Sequence, residues 1–222
     1  MRLLLAVIVL AVVLGYAFGG RVSQLKRVRL RWWGLTILGL AIQFLPLPEG
    51  RGGSDVLVRT SLLAASYALL LAFALANVRQ TGMPLVALGL ACNALVIVAN
   101  GGMPVSVQAL EDSGQADVVR ILIEEGADKH HELMDDDVLT FLADVIPIPQ
   151  PIGQAASVGD ILVYAGMIWF VVAAMRERTP SWGSAVRSGA RGKHRRGEPP
   201  AIPDPLPPPE TPPATTTSGI EP

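Results

Sequence analysis

The chain has 222 residues, of which 50% are apolar and 17% charged, with a mean hydropathy of +0.43. That length allows one modest domain with additions, and that apolarity is high for a soluble one. The formal net charge of -1 hides a segregation: basic residues gather at 21–31 and 176–196, acidic ones at 111–144. The single cysteine, Cys92, excludes an internal disulfide and any paired-cysteine zinc site.

A helix crossing a bilayer core of about 30 Å needs roughly 17–25 mostly apolar residues. Five stretches qualify, at about residues 3–19, 32–47, 56–76, 83–99 and 158–175. Lipid offers no hydrogen bonds to a backbone, so each is predicted to be helical. The predicted fold class is therefore all-α: a polytopic membrane helix bundle with five transmembrane helices, short helices in an outside cap and a disordered C-terminal tail.

Orientation follows from the short basic loops. Arg21, Lys26, Arg27, Arg29 and Arg31 lie between the first two spans, and Arg176 and Arg178 open a basic run after the fifth. Both are expected on the cytoplasmic side, as is the turn holding Arg79. The loop with Glu49, Arg51 and Asp55 is balanced and expected outside. An odd number of spans reconciles these, with the amino terminus outside. A rival reading of the first span is a signal peptide cleaved near Ala17-Phe18-Gly19. It would leave the basic loop exported, against the positive-inside preference.

Small residues mark where helices approach closely. Ala64, Ala68, Ala72 and Ala76 recur every four residues in the third span. Gly15 and Gly19 do so in the first, and Gly89 and Asn93 in the fourth. Trp32 and Trp33 beside Arg31 fit an interfacial anchor. Gln43 and Asn93 are predicted to hydrogen-bond between helices, with a place along a substrate path as the other reading.

Residues 100–157 form the predicted outside cap. Asn100, Gly101, Gly102 and Pro104 terminate the fourth span as structural residues. The segment then carries Glu111, Asp112, Asp117, Glu124, Glu125, Asp128, Glu132, Asp135, Asp136, Asp137 and Asp144 against Arg120 and Lys129. Short helices are predicted at Ser106–Glu111 and Gln115–Glu125, stopped at Gly126, with a third from about Asp135 to Val145. Pro147, Pro149 and Pro151 impose an extended strap. Ser157-Val158-Gly159-Asp160 has the pattern of a capping box opening the fifth span, with Ser157 as its structural cap. Asp160 there is also a candidate functional carboxylate, since ionisable groups at membrane depth are costly.

His130, His131, Asp144 and Asp160 are the candidate catalytic residues. Imidazole beside carboxylate serves general-base chemistry or binds a divalent metal, for which His130, His131 and Asp128 are the candidate ligands. No HExxH spacing is present, and adjacent histidines on a helix would diverge by about 100°. No cofactor is predicted beyond that metal. The 50–53 segment lacks the lysine of a phosphate loop, and no nucleophile elbow occurs. The tail, residues 177–222, turns basic and then proline-rich, the composition of a disordered segment. It has no aromatic interleaving or folded module for nucleic acid.

The ordered set Asn100-Gly101-Gly102-Met103-Pro104, Gly126-Ala127-Asp128-Lys129-His130-His131, Leu142-Ala143-Asp144-Val145-Ile146-Pro147 and Ser157-Val158-Gly159-Asp160, after a short basic first loop, carries a resemblance. It resembles a family of small bacterial multi-pass membrane proteins known only as a domain of unknown function, over about residues 1–176. The resemblance implies a bacterial cytoplasmic-membrane location and supplies no activity. Three functions remain open at this point. One is a structural or interaction protein, with lipid, a homo-oligomer or a membrane-protein partner as its contact. The others are a small transporter or channel subunit, and a membrane enzyme with its site at the outer rim.

Overall fold

A computed structural model of the chain describes residues 2–45, 53–119 and 130–176. In chain order it contains α1 (Arg2–Ala17), α2 (Trp33–Gln43), α3 (Gly53–Ala76), α4 (Met83–Asn100), β1 (Met103–Val105), α5 (Val107–Asp112), β2 (His130–Glu132), β3 (Ile146–Ile148), β4 (Gln154–Ala156) and α6 (Val158–Arg176). Single 3-10 turns occur at Val22–Arg27 and Thr140–Leu142. The chain is mostly helical, but the short strands correct a strictly all-α reading. The tail, residues 177–222, lies outside the described residues, as do Glu49, Arg51 and residues 120–129.

Three helices, α3, α4 and α6, are long and apolar enough to cross a membrane. The other two are apolar but shorter. The 16 residues of α1 rise about 24 Å and the 11 of α2 about 16 Å, short of a core of about 30 Å. Apolar side chains face outward around the bundle: Leu5, Ile37, Leu57, Leu95 and Trp169 are exposed. Such a surface contacts lipid rather than water.

Packing runs in the order α1–α6–α4–α3–α2, so α1 and α2 end an open row. At one end of the bundle the Arg21 N–H donates to the Met175 carbonyl at 2.8 Å. There too, the Asn77 side chain accepts from the Arg31 N–H at 2.8 Å and donates to its carbonyl at 2.9 Å. The basic first loop, the α3–α4 turn and the end of α6 thus share one end, and the cap covers the other.

Close helix approach is carried by other small residues than the alanine repeat suggested. The buried face of α3 is Leu63, Ser66, Leu70 and Ala74, while Ala68 is exposed. A leucine-rich helix buries its widest apolar arc, and alanines fall where lipid already suffices. Gly39 of α2 packs on Ser66 and Leu70. Between α4 and α6, Gly89 abuts Gly159, and Gly82 abuts Gly166. Gly15 packs on Met175, whereas Gly19 faces open space.

The cap is built on backbone pairing. β1 pairs in parallel with β2, Met103 opposite His130, and β3 pairs with β4 antiparallel. α5 matches its prediction to within a residue, with the Ser106 hydroxyl accepting from the Ala109 N–H. Residues 116–119 are helical, and the remainder of that predicted helix, with Gly126, lies outside the described residues. The helix predicted over Asp135–Val145 does not form. Asn100 binds the Val138 backbone on both sides, accepting from its N–H at 2.8 Å and donating to its carbonyl at 2.9 Å. The Asp144 N–H donates to the Pro104 carbonyl at 3.0 Å. Those bonds use the groups a helix would need for itself.

Candidate functional site

Helix α4 ends where Gly101 takes the left-handed conformation, φ 72°, which a side chain disfavours and a C-terminal glycine supplies. The Thr60 hydroxyl donates to the Gly101 carbonyl at 3.0 Å. Gly102 and Pro104 are buried beyond it. This turn directs β1 back over the bundle, and β1 in turn holds Asp144. The Asp144 carbonyl accepts from the Ser106 N–H at 3.1 Å. Val105 and Asp144 form an isolated parallel bridge. An otherwise irregular residue is thereby fixed over the cap-side ends of the helices.

At the start of α6 the capping box is reciprocal. The Ser157 hydroxyl accepts from the Asp160 N–H at 3.0 Å, and Oδ2 of Asp160 accepts from the Ser157 N–H at 3.4 Å. Asp160 does more than cap. Its Oδ1 accepts from the Asn93 amide of α4 at 2.8 Å, and the Ser157 hydroxyl donates to Oδ1 of Asn93 at 2.9 Å. Ser157 and Asn93 are both buried.

Asp144, Asp160 and His130 line one polar cavity of about 240 Å3 between cap and bundle, with Gln43, Tyr67, Asn93 and Gln154. Asp144 is 7% exposed, and its Oδ1 is buried without a hydrogen-bond partner among the described residues. Its Oδ2 lies 3.7 Å from Nε2 of His130, beyond hydrogen-bonding distance. Burial, and then the negative charge of Asp160, push the Asp144 carboxyl up to about 8. A buried carboxylate loses hydration, so the neutral form gains.

His131 does not join this group. Successive side chains of a strand point to opposite faces, and His131 turns away to Oδ1 of Asp137 at 2.9 Å. Oδ2 of Asp137 accepts from the Met134 N–H at 2.8 Å, which fixes that pair within its own loop. Asp128, the remaining proposed metal ligand, lies outside the described residues. Among the described residues no three His, Cys, Asp or Glu side chains gather in a group able to hold a metal ion.

Below the polar cavity a second chamber of about 580 Å3 extends into the bundle. Gln43, Tyr67, Asn93 and Asp160 line both. The rest of the lower chamber is chiefly apolar, from Leu40 and Leu70 through Val86, Leu90 and Val163 to Met167 and Phe170. Leu4 of α1 and Thr36 of α2 complete it, so it lies against the gap at the open ends of the row. Gln43 also donates to the Ser66 hydroxyl at 3.0 Å, which serves the helix contact expected of it.

A family model matches residues 27–172, well over half of the chain. The chain belongs to DUF5317, a family of unknown function. No curated protein and no solved structure matches the chain. The DUF5317 region spans α2, α3, α4, the cap and most of α6, and with them every residue of the polar cavity. The first helix and the tail fall outside it, so it is narrower than the resemblance over residues 1–176. Sequence reasoning about this DUF5317 chain missed Tyr67, Tyr164 and Gln154. Tyr164 follows Asp160 by one helical turn, a spacing that places both on one face and was there to be used. Tyr67 and Gln154 are joined to the site only by tertiary packing.

Proposed function

We propose that this protein crosses a bacterial cytoplasmic membrane five times, amino terminus outside and carboxyl terminus inside, and binds an amphipathic small molecule. The polar head of the ligand enters the cavity under the cap, and its apolar part fills the chamber between the helices. The observation that carries this reading is that Gln43, Tyr67, Asn93 and Asp160 line both spaces. A concave apolar space with a few convergent polar groups is what a small-molecule site needs. Packed interiors have few voids larger than a water molecule, and a scaffold has no use for this one. The lower chamber is too apolar to conduct an ion. The distance of 3.7 Å between His130 and Asp144 gives no nucleophile–base pair, so binding is favoured over catalysis.

An alkyl chain carrying a photoactivatable diazirine, applied to the protein in lipid nanodiscs, tests this reading. Label is expected on Leu70, Val86 and Met167, and to fall when Leu70 is replaced by Trp. Label confined to lipid-facing Leu5, Leu57 and Trp169 would reject the chamber as a site. Reporter fusions check orientation: one after Met175 must remain cytoplasmic.

A second observation supports an interaction face on the cap. Met134, Val138 and Phe141 are exposed apolar residues held near the end of α4 by Asn100. Their depth suits the lipid headgroup boundary. With Cys92 replaced by Ala, changing Met134 and Val138 to Ser would then reduce quenching of a fluorophore at Phe141→Cys by lipid-borne quenchers, relative to the same labelled chain with Met134 and Val138 intact.

A further inference from the structure

We propose that the polar cavity receives an aliphatic primary ammonium, bound between Asp144 and Asp160 and admitted in exchange for a proton. This rests on the amphiphile reading above and names the head of that ligand.

The geometry selects the sign of the head. Two carboxylates line the cavity, and among the described residues no lysine or arginine does. A phosphate or carboxylate head would meet two acids with no lysine or arginine among the described lining residues. Asp160 already accepts from Asn93 and Ser157. Asp144 is different: its Oδ1 is buried and makes no hydrogen bond among the described residues, and the side chain lines the cavity. A buried unsatisfied acceptor is unfavourable until a donor arrives. An ammonium brings three donors, and the adjacent phenol ring of Tyr67 offers a further site for a cation.

The proton balance follows from the surroundings of Asp144. The titratable groups facing it among the described residues are His130 from β2, Asp160 and Tyr164 from α6, and Tyr67 from α3. With its carboxyl pushed up to about 8, the empty site holds a proton on Asp144 at neutral pH. An incoming ammonium stabilises the carboxylate, and the carboxyl proton departs to water. No bond to carbon or nitrogen changes. Water reaches the site from the side of His130, whose side chain is 44% exposed while that of Asp144 is 10%.

Calorimetry of the full chain in nanodiscs, corrected with empty nanodiscs, tests this with octylammonium, 1-octanol and octanoate. Octylammonium should bind at least tenfold more tightly than octanol, and octanoate more weakly than either. Repeating the octylammonium titration at pH 7 in buffers of different ionisation enthalpy should show release of about 0.9 proton, the fraction held by a group titrating near 8. Asp144→Asn should abolish that release and weaken octylammonium at least tenfold more than it weakens octanol. Asp160→Asn should weaken octylammonium but retain proton release. If octanol binds the unaltered protein as tightly as octylammonium, or no proton is released, the ammonium proposal fails and the amphiphile reading stands. If none of the three binds above empty nanodiscs, both fail.

Discussion

The amide nitrogen of Asn93 donates to Oδ1 of Asp160 at 2.8 Å, and the carbonyl oxygen of the same side chain accepts from the Ser157 hydroxyl at 2.9 Å. One asparagine in the middle of α4 thus satisfies both ends of the capping box that opens α6. The Gly159 backbone lies against the same amide and against Gly89. Polar groups removed from water must find partners in the protein, and here a single side chain supplies two of them. Asn93→Leu keeps much of the volume and removes both bonds. It is expected to lower the unfolding free energy by about 1–3 kcal/mol, the usual cost of stranding buried polar partners. Denaturant titration in mixed micelles measures it. A loss no larger than that of Leu95→Ala on the lipid face would show that the network contributes nothing to stability.

The apolar runs, their order and the capping box were legible because each is a local property. Helical period, the span length of α3, α4 and α6 and the Ser157–Asp160 spacing need no knowledge of neighbours, whereas α1 and α2 fall short of the lengths expected of them. The cap was legible only in part. α5 follows from Ser106 and a short apolar run, whereas Asp135–Val145 has helical periodicity that tertiary bonds override. Asn100 takes the backbone of Val138, and Pro104 takes that of Asp144. These partners lie 38 and 40 positions away, and no local rule reports them. The site shows the same division. Asp160 was legible as an ionisable group at membrane depth and His130 as an imidazole among carboxylates, but their convergence with Asp144, one of many acids in the cap, and the turning away of His131, depend on how β1 pairs with β2.

The Asn100 clasp makes a prediction about local opening. Its amide makes two bonds to Val138 and one to the Val96 carbonyl, the last at 3.0 Å. Asn100→Ala removes all three and leaves the Val138 N–H without its acceptor. Amide exchange at 137–142 should accelerate about 5–30-fold, corresponding to about 1–2 kcal/mol of lost local stability. Exchange within α6 should remain unchanged. Hydrogen exchange read by mass spectrometry resolves both segments, and an equal acceleration in α6 would mean that the cap and bundle open together.

Asp144 makes stability depend on pH with a defined sign. Its carboxyl titrates near 8 in the folded chain, against an ordinary value of 3.8. Burial is the main cause and the charge of Asp160 the second. The folded state therefore holds this proton more tightly than the unfolded one. The associated stability is fully present below about pH 4 and is lost as pH rises through about 8. Its slope is at most about 1.4 kcal/mol per pH unit for one proton. The Asp144→Asn protein should lack this component. The difference in unfolding free energy, variant minus unaltered protein, should thus grow in favour of the variant from pH 5 to pH 8. A flat difference over that interval would place the Asp144 carboxyl in contact with water.

The last prediction separates the small residues that pack helices from those that merely populate them. Gly159 lacks room for a methyl group: one added there would press on the Asn93 side chain and on the Gly89 carbonyl. Backbone cannot yield as a flexible side chain can, so the helices must separate or Asn93 must leave its partners. Overpacking of this kind costs about 1–3 kcal/mol. Gly159→Ala adds to that the loss of the Asn93 bonds, so its effect should overlap with that of Asn93→Leu and the double variant should be less than additive. Ala68 belongs to the regular alanine repeat of α3, yet it is exposed. Ala68→Leu should change stability by less than about 0.5 kcal/mol, as substitutions away from packed features do. Equal losses from the two variants would return the alanine repeat to the helix interface and remove the Gly89–Gly159 contact as the determinant of how α4 and α6 approach.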